Sequence, residues 1–522
     1  MKGPYASIRA LIDARADTDG TRTALLEPGG RTFDYATLRD EVRRVASALR
    51  AHGFRPGDRI AYAMPNGIDA VLAILGIQYA QLCAVAINLV AGRDTIAYAL
   101  AHSGARLVLT SMGTRSAIQE SLASTAFGEH AWLAVPPVLG LDALNENEST
   151  VDAPTDTVER ADTVDDRAAL AFAPDALLMY TSGTTGRPKG VRLSHANLLA
   201  GGRNTASGHA LHAGDRALCT LPLFHINGLC VTLYAPLVSG GSVLLPERFS
   251  ASRFWTWLRD GECSWFSVVP TQVAYLLHGE DRCVPGGRVR FGRSASAPLA
   301  PHVHRAFEQR FDVPLIETMG LTETAAQITT NPMPPAAGAI GSAGRAHGCE
   351  LRIAAASVTG EGEIQVRGDS VMTGYLNDEV ATHEAFSEDG WLRTGDLGRI
   401  DEHGFVFVTG RLKELIIKGG ENIAPREIDE ALLSHPDVLE AAAFGVPCDD
   451  FGERVEAAVV AVPGRVLDTE ALLVLCEQRV GAFRRPDRLH RVEELPKGPS
   501  GKIQRRHCAA LCANSCAVTE AV

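Results

Sequence analysis

The sequence alternates between helical and strand-like patterns over most of its length, and this alternation limits the possible folds more than any other feature. It begins with an amphipathic helical pattern over residues 35–52, followed by a short strand pattern over 59–64, a helical pattern over 67–81 and an apolar run over 83–88. Helices that connect parallel strands produce this order. The sequence therefore predicts an α/β fold with layered sheets built from βαβ units.

The pattern changes in the last third of the chain. Short strand-like runs broken by glycine predict a β-rich subdomain at about residues 345–410. Beyond it, short strands alternate with two helices, which predicts a small α+β unit. We thus expect a large N-terminal domain of residues 1–410 and a small C-terminal domain of residues 411–522. The acidic, apolar-poor segment 145–166 is expected on the surface.

The charge balance excludes one broad class of partner. With 50 Lys and Arg against 62 Asp and Glu, the formal net charge is −12. Long-range attraction to nucleic acid or to an anionic membrane is therefore not expected. The chain has neither a secretory pattern at its start nor an apolar run of about 18 residues or more, so no signal peptide or membrane span is predicted.

Eleven cysteines are scattered without a disulfide framework, which is typical of a reduced, cytoplasmic protein. Cys508, Cys512 and Cys516 have helical spacing that would align three thiols on one face. A metal site is one interpretation. The other is that cysteine here packs as a small apolar residue, and no fourth ligand with a familiar spacing favours the metal.

The segment from Tyr180 to Gly190 reads YTSGTTGRPKG and follows an apolar strand pattern. Its glycines allow close approach of a ligand, and its hydroxyls and cations suit phosphate. It is not a Walker A loop, because Lys189 is followed by Gly190 and not by Ser or Thr. The alternative is a solvated surface loop, but ligands in open α/β sheets collect where strands end.

Six further motifs follow in order. They are PLFHING at 222–228, SASAPL at 294–299, GLTET at 320–324, WLRTGD at 391–396, GRLKE at 410–414 with KGGENI at 418–423, and PKGPSGKI at 496–503. With the Gly/Thr-rich loop, this ordered set resembles the adenylate-forming superfamily of acyl-CoA synthetases, luciferases and adenylation domains. The resemblance covers nearly the whole chain and implies ATP, Mg²⁺ and coenzyme A as ligands.

The resemblance assigns roles to individual residues. Glu323 is expected to hold Mg²⁺, Thr322 to bond the α-phosphate, and Asp396 with Arg411 to bind the ribose. The alternative interpretation is that the Asp396 side chain caps a turn and does not bind the ribose. The nucleotide and coenzyme A contacts implied by the motifs are Thr181, Ser182, Gly183, Thr184, Thr185, Lys189, Ser296, Ala297, Glu317, Thr318, Met319, Asp396, Arg411, Gly419 and Gly420.

The implied catalytic residue for adenylation is Lys502, whose ammonium group would bridge the acid and the α-phosphate. The alternative interpretation is that Lys502 is a solvated lysine in a basic tail. Lys497 is expected at the surface. After adenylation the small domain is expected to rotate about Lys413. This rotation would bring Gly419 and Gly420 to the pantetheine arm of coenzyme A.

The acid site is expected at His225, Asn227 and Gly228, where His225 orients the acyl group, assists the thiol, or simply packs. Many family members place an aromatic residue where this chain has Met319, so the adenine contact is expected to differ. The segments 289–298 and 317–332 look closest to oxalate–CoA ligases and other activators of short, polar acids. There Arg293 either counters a second anion of the acid or holds the strand edge.

The leading hypothesis is an ATP-dependent, AMP-forming ligase that joins a small or polar acid to coenzyme A, acting as a monomer or a homodimer. A second hypothesis is an adenylating enzyme that transfers its intermediate to an amine or a carrier protein, or that activates an inorganic oxyanion such as nitrite, without coenzyme A. A third, a non-catalytic nucleotide sensor, is disfavoured because Lys502, Glu323 and Asp396 are all present.

Overall fold

The computed structural model describes residues 4–123, 138–146, 175–181, 187–279, 288–358, 360–498 and 503–512. The helices are α1 (Ile8–Asp19), α2 (Tyr35–Ala51), α3 (Ile68–Tyr79), α4 (Arg93–Ser103), α5 (Arg115–Leu122), α6 (Leu141–Glu146), α7 (His195–Gly208), α8 (Ala235–Ser239), α9 (Ala251–Asp260), α10 (Pro270–His278), α11 (Pro301–Phe311), α12 (Glu379–Ala385), α13 (Pro425–Leu433) and α14 (Thr469–Val480). A π-helix spans Asn227–Tyr234, and 3₁₀ turns span Thr322–Thr324, Leu412–Glu414 and Arg505–His507.

The strands are β1 (Thr23–Leu26), β2 (Thr32–Asp34), β3 (Arg59–Ala63), β4 (Cys83–Ala86), β5 (Leu107–Thr110), β6 (Val138–Gly140), β7 (Leu177–Thr181), β8 (Lys189–Leu193), β9 (Arg216–Leu218), β10 (Ser242–Leu244), β11 (Trp265–Val268), β12 (Phe291–Ser294), β13 (Leu315–Leu321), β14 (Ala326–Thr330), β15 (Arg345–Ala346), β16 (Glu350–Ala354), β17 (Gly362–Arg367), β18 (Gly374–Tyr375), β19 (Leu392–Ile400), β20 (Val406–Arg411), β21 (Ile416–Lys418), β22 (Glu421–Ile423), β23 (Val438–Cys448), β24 (Gly452–Ala461) and β25 (Arg488–Arg491).

Two large sheets form the N-terminal region. One has the order β18-β8-β7-β4-β3-β5-β6, and the other has the order β15-β14-β13-β12-β11-β9-β10-β1-β2. The strands from β7 to β6 are parallel, as are those from β13 to β1. This arrangement confirms the predicted α/β fold with layered, largely parallel sheets.

Helices α2 and α3 illustrate why these segments fold as they do. Asp34 caps α2 by accepting a hydrogen bond from the Thr37 backbone N–H, and the apolar positions of α2 are buried along one face. By contrast, α3 is buried on nearly every side. It is therefore apolar all round and packs within the main core beside α2.

The predicted β-rich subdomain is present as the antiparallel sheet β16-β17-β19-β20. Residues 345–410 also include α12 and the short strand β18. This strand is not part of the four-stranded sheet, because it pairs with β8 of the seven-stranded sheet. The acidic segment predicted at the surface lies almost wholly outside the described residues. Within the described residues, no helix has both the length and the apolar character to cross a membrane.

The C-terminal region forms a sheet of its own, β22-β21-β24-β23 with β25 beside β24. Separate apolar clusters line its two faces. Cys508 and Cys512 are buried in one of them, with Phe444 and Leu495. These two thiols therefore pack as apolar side chains, as the second interpretation expected, while Cys516 lies outside the described residues.

We predict that Gly76 is required for the packing of α3 on α2. A Cβ atom at Gly76 would lie 2.4 Å from Val45 Cγ1, so Gly76→Ala should lower the free energy of unfolding by about 1–3 kcal/mol through overpacking. In a Val45→Gly background, which removes both Val45 atoms that lie within 3 Å of the added methyl group, the same change should be neutral or stabilising, because alanine is the better helix former. Urea unfolding of the four proteins measures this coupling, and equal effects in both backgrounds would contradict it.

Candidate active site

One cavity collects residues from two sheets of the N-terminal region and from the C-terminal region. Its walls come from the ends of β11, β12 and β13, from β20, and from α13 and β23. The sequence-predicted residues that line it are Ser296, Ala297, Glu317, Thr318, Met319, Asp396 and Arg411. The structure thus brings together residues that the sequence separates by more than a hundred positions and that were assigned from several different motifs.

Asp396 and Arg411 face each other across β19 and β20, where they are direct partners in the strand register. Arg411 Nε donates a hydrogen bond to Asp396 Oδ1, and Asp396 is buried. The carboxylate of Asp396 raises the pKa of Arg411 above its ordinary value, despite burial. Because the carboxylate also lines the cavity, it forms a buried acceptor whose charge is already balanced.

The opposite wall is formed by β12, β13 and the turn after β12. Ser296 has a φ of +76°, which non-glycine residues rarely adopt, so the turn that presents Ser296 to the cavity is strained. Thr318 Oγ1 is buried with no hydrogen-bond partner among the described atoms. A cavity-lining hydroxyl in this condition can donate to or accept from a ligand.

Glu317 lines the cavity, but protein groups hold its carboxylate. His304 Nδ1 lies 3.2 Å from Oε1, and the backbone N–H groups of Leu299 and Gly341 donate to the two oxygens. Burial lowers the pKa of His304, but the hydrogen bonds that its ring donates to Glu308 and Glu317 outweigh this effect and raise the pKa to about 9. In this structure Glu317 therefore supports the cavity wall through a charged pair.

Met319 lines the cavity beside Thr318, and Thr329 Oγ1 accepts a hydrogen bond from its backbone N–H. Its thioether stands where the resemblance implies an aromatic ring in many relatives. A flexible sulfur-containing chain can still cover an aromatic ligand face.

A tyrosine that the sequence did not single out joins two predicted phosphate-side residues. The hydroxyl of Tyr375 donates to Glu323 Oε1 at 3.0 Å, and Lys189 Nζ lies 4.9 Å from the centre of the same ring. Burial and the charge of Glu323 raise the pKa of Tyr375, so its hydroxyl stays protonated. Thr322 opens the 3₁₀ turn that carries Glu323.

Thr181, at the end of β7, lines a second cavity together with Lys497, Gly498, Arg506 and His507. The carboxyl end of the strand therefore faces cationic side chains of the C-terminal region. The loop residues Ser182, Gly183, Thr184 and Thr185, like Lys502, lie outside the described residues.

Lys497 was expected at the surface, and this expectation is wrong. Its side chain is only 13% exposed, lies 2.8 Å from Glu440 Oε1, and donates to the Tyr275 hydroxyl at 3.0 Å. Tyr275 belongs to α10 of the N-terminal region, so this lysine ties the C-terminal region to it. The sequence around Lys497 shows only a positive charge in a basic segment, and this pattern does not indicate a buried carboxylate partner such as Glu440.

The predicted acid-site residues lie at the start of the π-helix. A Cβ atom on Gly228 would lie 2.2 Å from the Pro222 carbonyl oxygen, so only glycine fits this turn. Burial lowers the pKa of His225 to about 4, and its buried Nε2 has no partner among the described atoms. His225 is therefore neutral near pH 7, which excludes a role as a cation there.

Asn227 connects the acid-site residues to the cavity. Its Nδ2 donates to Ser296 Oγ at 3.3 Å, and its Oδ1 accepts from Ser267 and Arg293. His225, Asn227, Gly228 and Arg293 do not themselves line the two cavities described above.

The Gly419–Gly420 turn is exposed on the C-terminal sheet, and both glycines have positive φ angles. Neither lines either cavity. Lys413 lies in the exposed 3₁₀ turn between β20 and β21, at the junction of the N-terminal region and the C-terminal sheet.

Comparison with known proteins identifies the family. The family model for AMP-binding enzymes matches residues 12–376, and the model for the C-terminal domain of AMP-binding enzymes matches residues 427–502. The chain belongs to the AMP-binding enzyme family, and its architecture is that of adenylate-forming enzymes.

Two relatives and one solved structure show how far the likeness extends. A sulfoacetate–CoA ligase of Cupriavidus necator is 44% identical over 96% of this chain and 97% of its own length. An oxalate–CoA ligase of Arabidopsis thaliana is 35% identical, with 96% and 97% covered. The structure of O-succinylbenzoate coenzyme A synthetase from Bacillus subtilis with ATP and magnesium has a TM-score of 0.80 and 29% identity, with 95% and 98% covered.

We predict that Asp396 contributes to ATP binding. Asp396→Asn removes the charge that strengthens hydrogen bonds to ribose hydroxyls, so the KM for ATP should rise about 10- to 100-fold. Asp389→Asn is the matched control, because Asp389 pairs with Arg352 at the surface of the same subdomain. Initial rates against ATP concentration measure both variants. A KM that rises equally in the two variants, or in neither, would contradict the prediction.

Proposed function

We propose that this protein is an ATP-dependent, AMP-forming ligase that activates a small, polar carboxylic acid and transfers it to coenzyme A. The observation that carries the proposal is the shared cavity, where Asp396 and Arg411 face Ser296, Thr318 and Met319. Sulfoacetate and oxalate, the acids named for the two relatives, are small and polar, which supports the same substrate size here.

The first half-reaction joins two anions. A carboxylate oxygen of the acid attacks the α-phosphorus of ATP, a P–O bond forms, and pyrophosphate leaves with the electron pair of the broken P–O bond. Asp396 and Arg411 would hold the ribose, while Ser296, Ala297, Thr318 and Met319 would enclose the adenine. Lys189, Thr322 and the Gly/Thr-rich loop would contact the phosphates.

Glu323 fits a magnesium ligand. It offers carboxylate oxygens, which Mg²⁺ prefers, and Tyr375 fixes its orientation through Oε1. When bound, the ion would neutralise phosphate charge. Lys502 would contact the acid and the α-phosphate, a role that the resemblance assigns to it. Its neighbour Ile503 lines the nucleotide cavity, and Gly498 lines the second cavity together with Thr181.

The second half-reaction would use a different placement of the C-terminal region. The coenzyme A thiol loses its proton and attacks the acyl carbon, a C–S bond forms, and AMP leaves. We place the hinge at Lys413, between domains of residues 1–410 and 411–522. The exposed Gly419–Gly420 turn would then face the pantetheine arm, and the Lys497–Tyr275 contact would have to break.

The nine cysteines that the structure describes are all free, which supports the cytoplasmic location included in this proposal.

The proposed assembly is a monomer or a homodimer, and light scattering of the purified chain distinguishes the two.

A panel assay tests the proposal. The full chain should release pyrophosphate with Mg-ATP and short polar acids, and AMP should form in equal amount to coenzyme A thioester. Release only with medium or long fatty acids would contradict the substrate class. Pyrophosphate without thioester would favour an amine or carrier protein as acceptor, and activity with nitrite alone would favour an oxyanion.

The Lys502→Ala variant separates the two half-reactions. It should abolish adenylate formation, yet convert supplied acyl-adenylate and coenzyme A to thioester at close to the wild-type rate. The second activity shows within the same protein that the variant is folded. Equal loss of both half-reactions would contradict the two-conformation scheme.

A further inference from the structure

Arg293 is a buried cation with no carboxylate partner among the residues that the structure describes. It lies on β12, only 2% of its surface is exposed, and its hydrogen-bond acceptors are all neutral. Nη1 donates to Asn227 Oδ1 at 2.9 Å and to Ser267 Oγ at 3.0 Å, and Nε donates to Gln327 Oε1 at 3.2 Å. Its remaining nitrogen, Nη2, makes no hydrogen bond with any described residue.

The titratable groups around Arg293 do not supply the missing charge. His209 shares Gln327 with it, but burial lowers the pKa of this histidine to about 3, so the ring is neutral. Cys230 is nearby, and burial raises the pKa of its thiol, which keeps it protonated. Burial also lowers the pKa of Arg293 itself, to about 9. The guanidinium is thus poorly solvated and uncompensated, a state that is costly unless an anion arrives.

Two partly buried arginines of this chain show the contrast. Arg411 pairs with Asp396, and Arg505 pairs with Asp429 and Glu414. Each has a carboxylate within the protein and a raised pKa. Of these three arginines, only Arg293 has hydrogen-bond acceptors that are all neutral.

The position of Arg293 connects it to the reaction site. The chain leaves β12 one residue later and forms the turn of Ser296, which lines the cavity. Asn227 bonds both Arg293 and Ser296. Gln327 is the strand partner of Gly320, which also lines the cavity. Arg293 therefore lies directly beneath the cavity wall, on the side of the predicted acid-site residues.

We propose that Arg293 and Asn227 form a subsite for a second anionic group, a carboxylate or a sulfonate, on the acid that this enzyme activates. The inference rests on the proposed function, and it narrows the substrate class from small polar acids to acids with two anionic groups. Nη2 donates to the incoming anion, and the planar fork of arginine suits an oxyanion. A monoanionic acid leaves the buried charge unpaired, so the same subsite rejects it.

Comparison of matched acids tests the subsite. Malonate and sulfoacetate are the dianionic substrates, and propionate is the monoanionic acid of similar size. The wild-type enzyme should prefer the dianions in kcat/KM. Arg293→Gln should lower kcat/KM for the dianions by about 100-fold or more, change the value for propionate only a few-fold, and leave the KM for ATP unchanged. Arg293→Lys should retain part of the preference.

Arg216→Gln is the matched control. Arg216 is a largely buried arginine on β9 of the same sheet, bonded to Ser242 and to the Gly261 carbonyl. Its replacement should not change the preference between dianion and monoanion. Equal losses on all acids in a folded Arg293→Gln protein, or a wild-type preference for propionate, would overturn the inference.

A binding measurement separates this inference from the proposed function. If the wild-type enzyme releases no pyrophosphate with any acid, the proposed function fails. Calorimetric titration with malonate in the presence of AMP then tests the subsite alone. Binding to the wild type that Arg293→Gln abolishes would support the subsite, and equal or absent binding in both proteins would overturn it.

Discussion

The parallel hydrogen-bond ladder of β11, β12 and β13 is the interaction on which the candidate site depends. It places Val268 beside Ser294 and Ser294 beside Glu317, so β11 and β12 end at the same level of the nine-stranded sheet, next to Glu317 of β13. Parallel strands expose their following loops at the same edge, which is where ligands of open α/β sheets collect. A shift in this register would separate the turn of Ser296 from Thr318 and Met319.

Charge is arranged locally and against the balance of the whole chain. The net charge is −12, yet the proposed ligands are anions. Exposed charges more than about 8–10 Å away are screened at physiological salt, so nearby groups dominate. At the proposed ribose site, Arg411 is matched with the carboxylate of Asp396. Beneath the predicted acid site, Arg293 has only neutral hydrogen-bond acceptors among the described residues. The two ends of the candidate site therefore differ in how the charge of their arginine is balanced.

The sequence was most informative where local pattern decides structure. The α2 and α3 helices and the change to short antiparallel strands at about residue 345 were predictable. Ordered motifs also predicted the family. Contacts between distant segments were not predictable. The Lys497 pairing with Tyr275 spans 222 positions, and the Tyr375 link between Lys189 and Glu323 depends on β18 joining a different sheet.

Arg293 shows most clearly which features of the site could not be predicted from the sequence. Its sequence position left two interpretations, a strand-edge anchor or an anion site, since the sequence cannot state which partners a buried guanidinium lacks. The structure gives those partners as an amide oxygen from the π-helix, a hydroxyl from β11 and an amide oxygen from β14. Within the described part of the chain no carboxylate pairs with the guanidinium, and this is a property of tertiary packing.

A structure with a hydrolysis-resistant acyl-adenylate analogue of a dianionic acid, such as a malonyl sulfamoyl adenosine, tests the account most directly. We expect the ribose hydroxyls within hydrogen-bond distance of Asp396 and the distal carboxylate about 3 Å from the Arg293 guanidinium. An analogue bound with its distal carboxylate in solvent, while Arg293 keeps only its neutral partners, would contradict it.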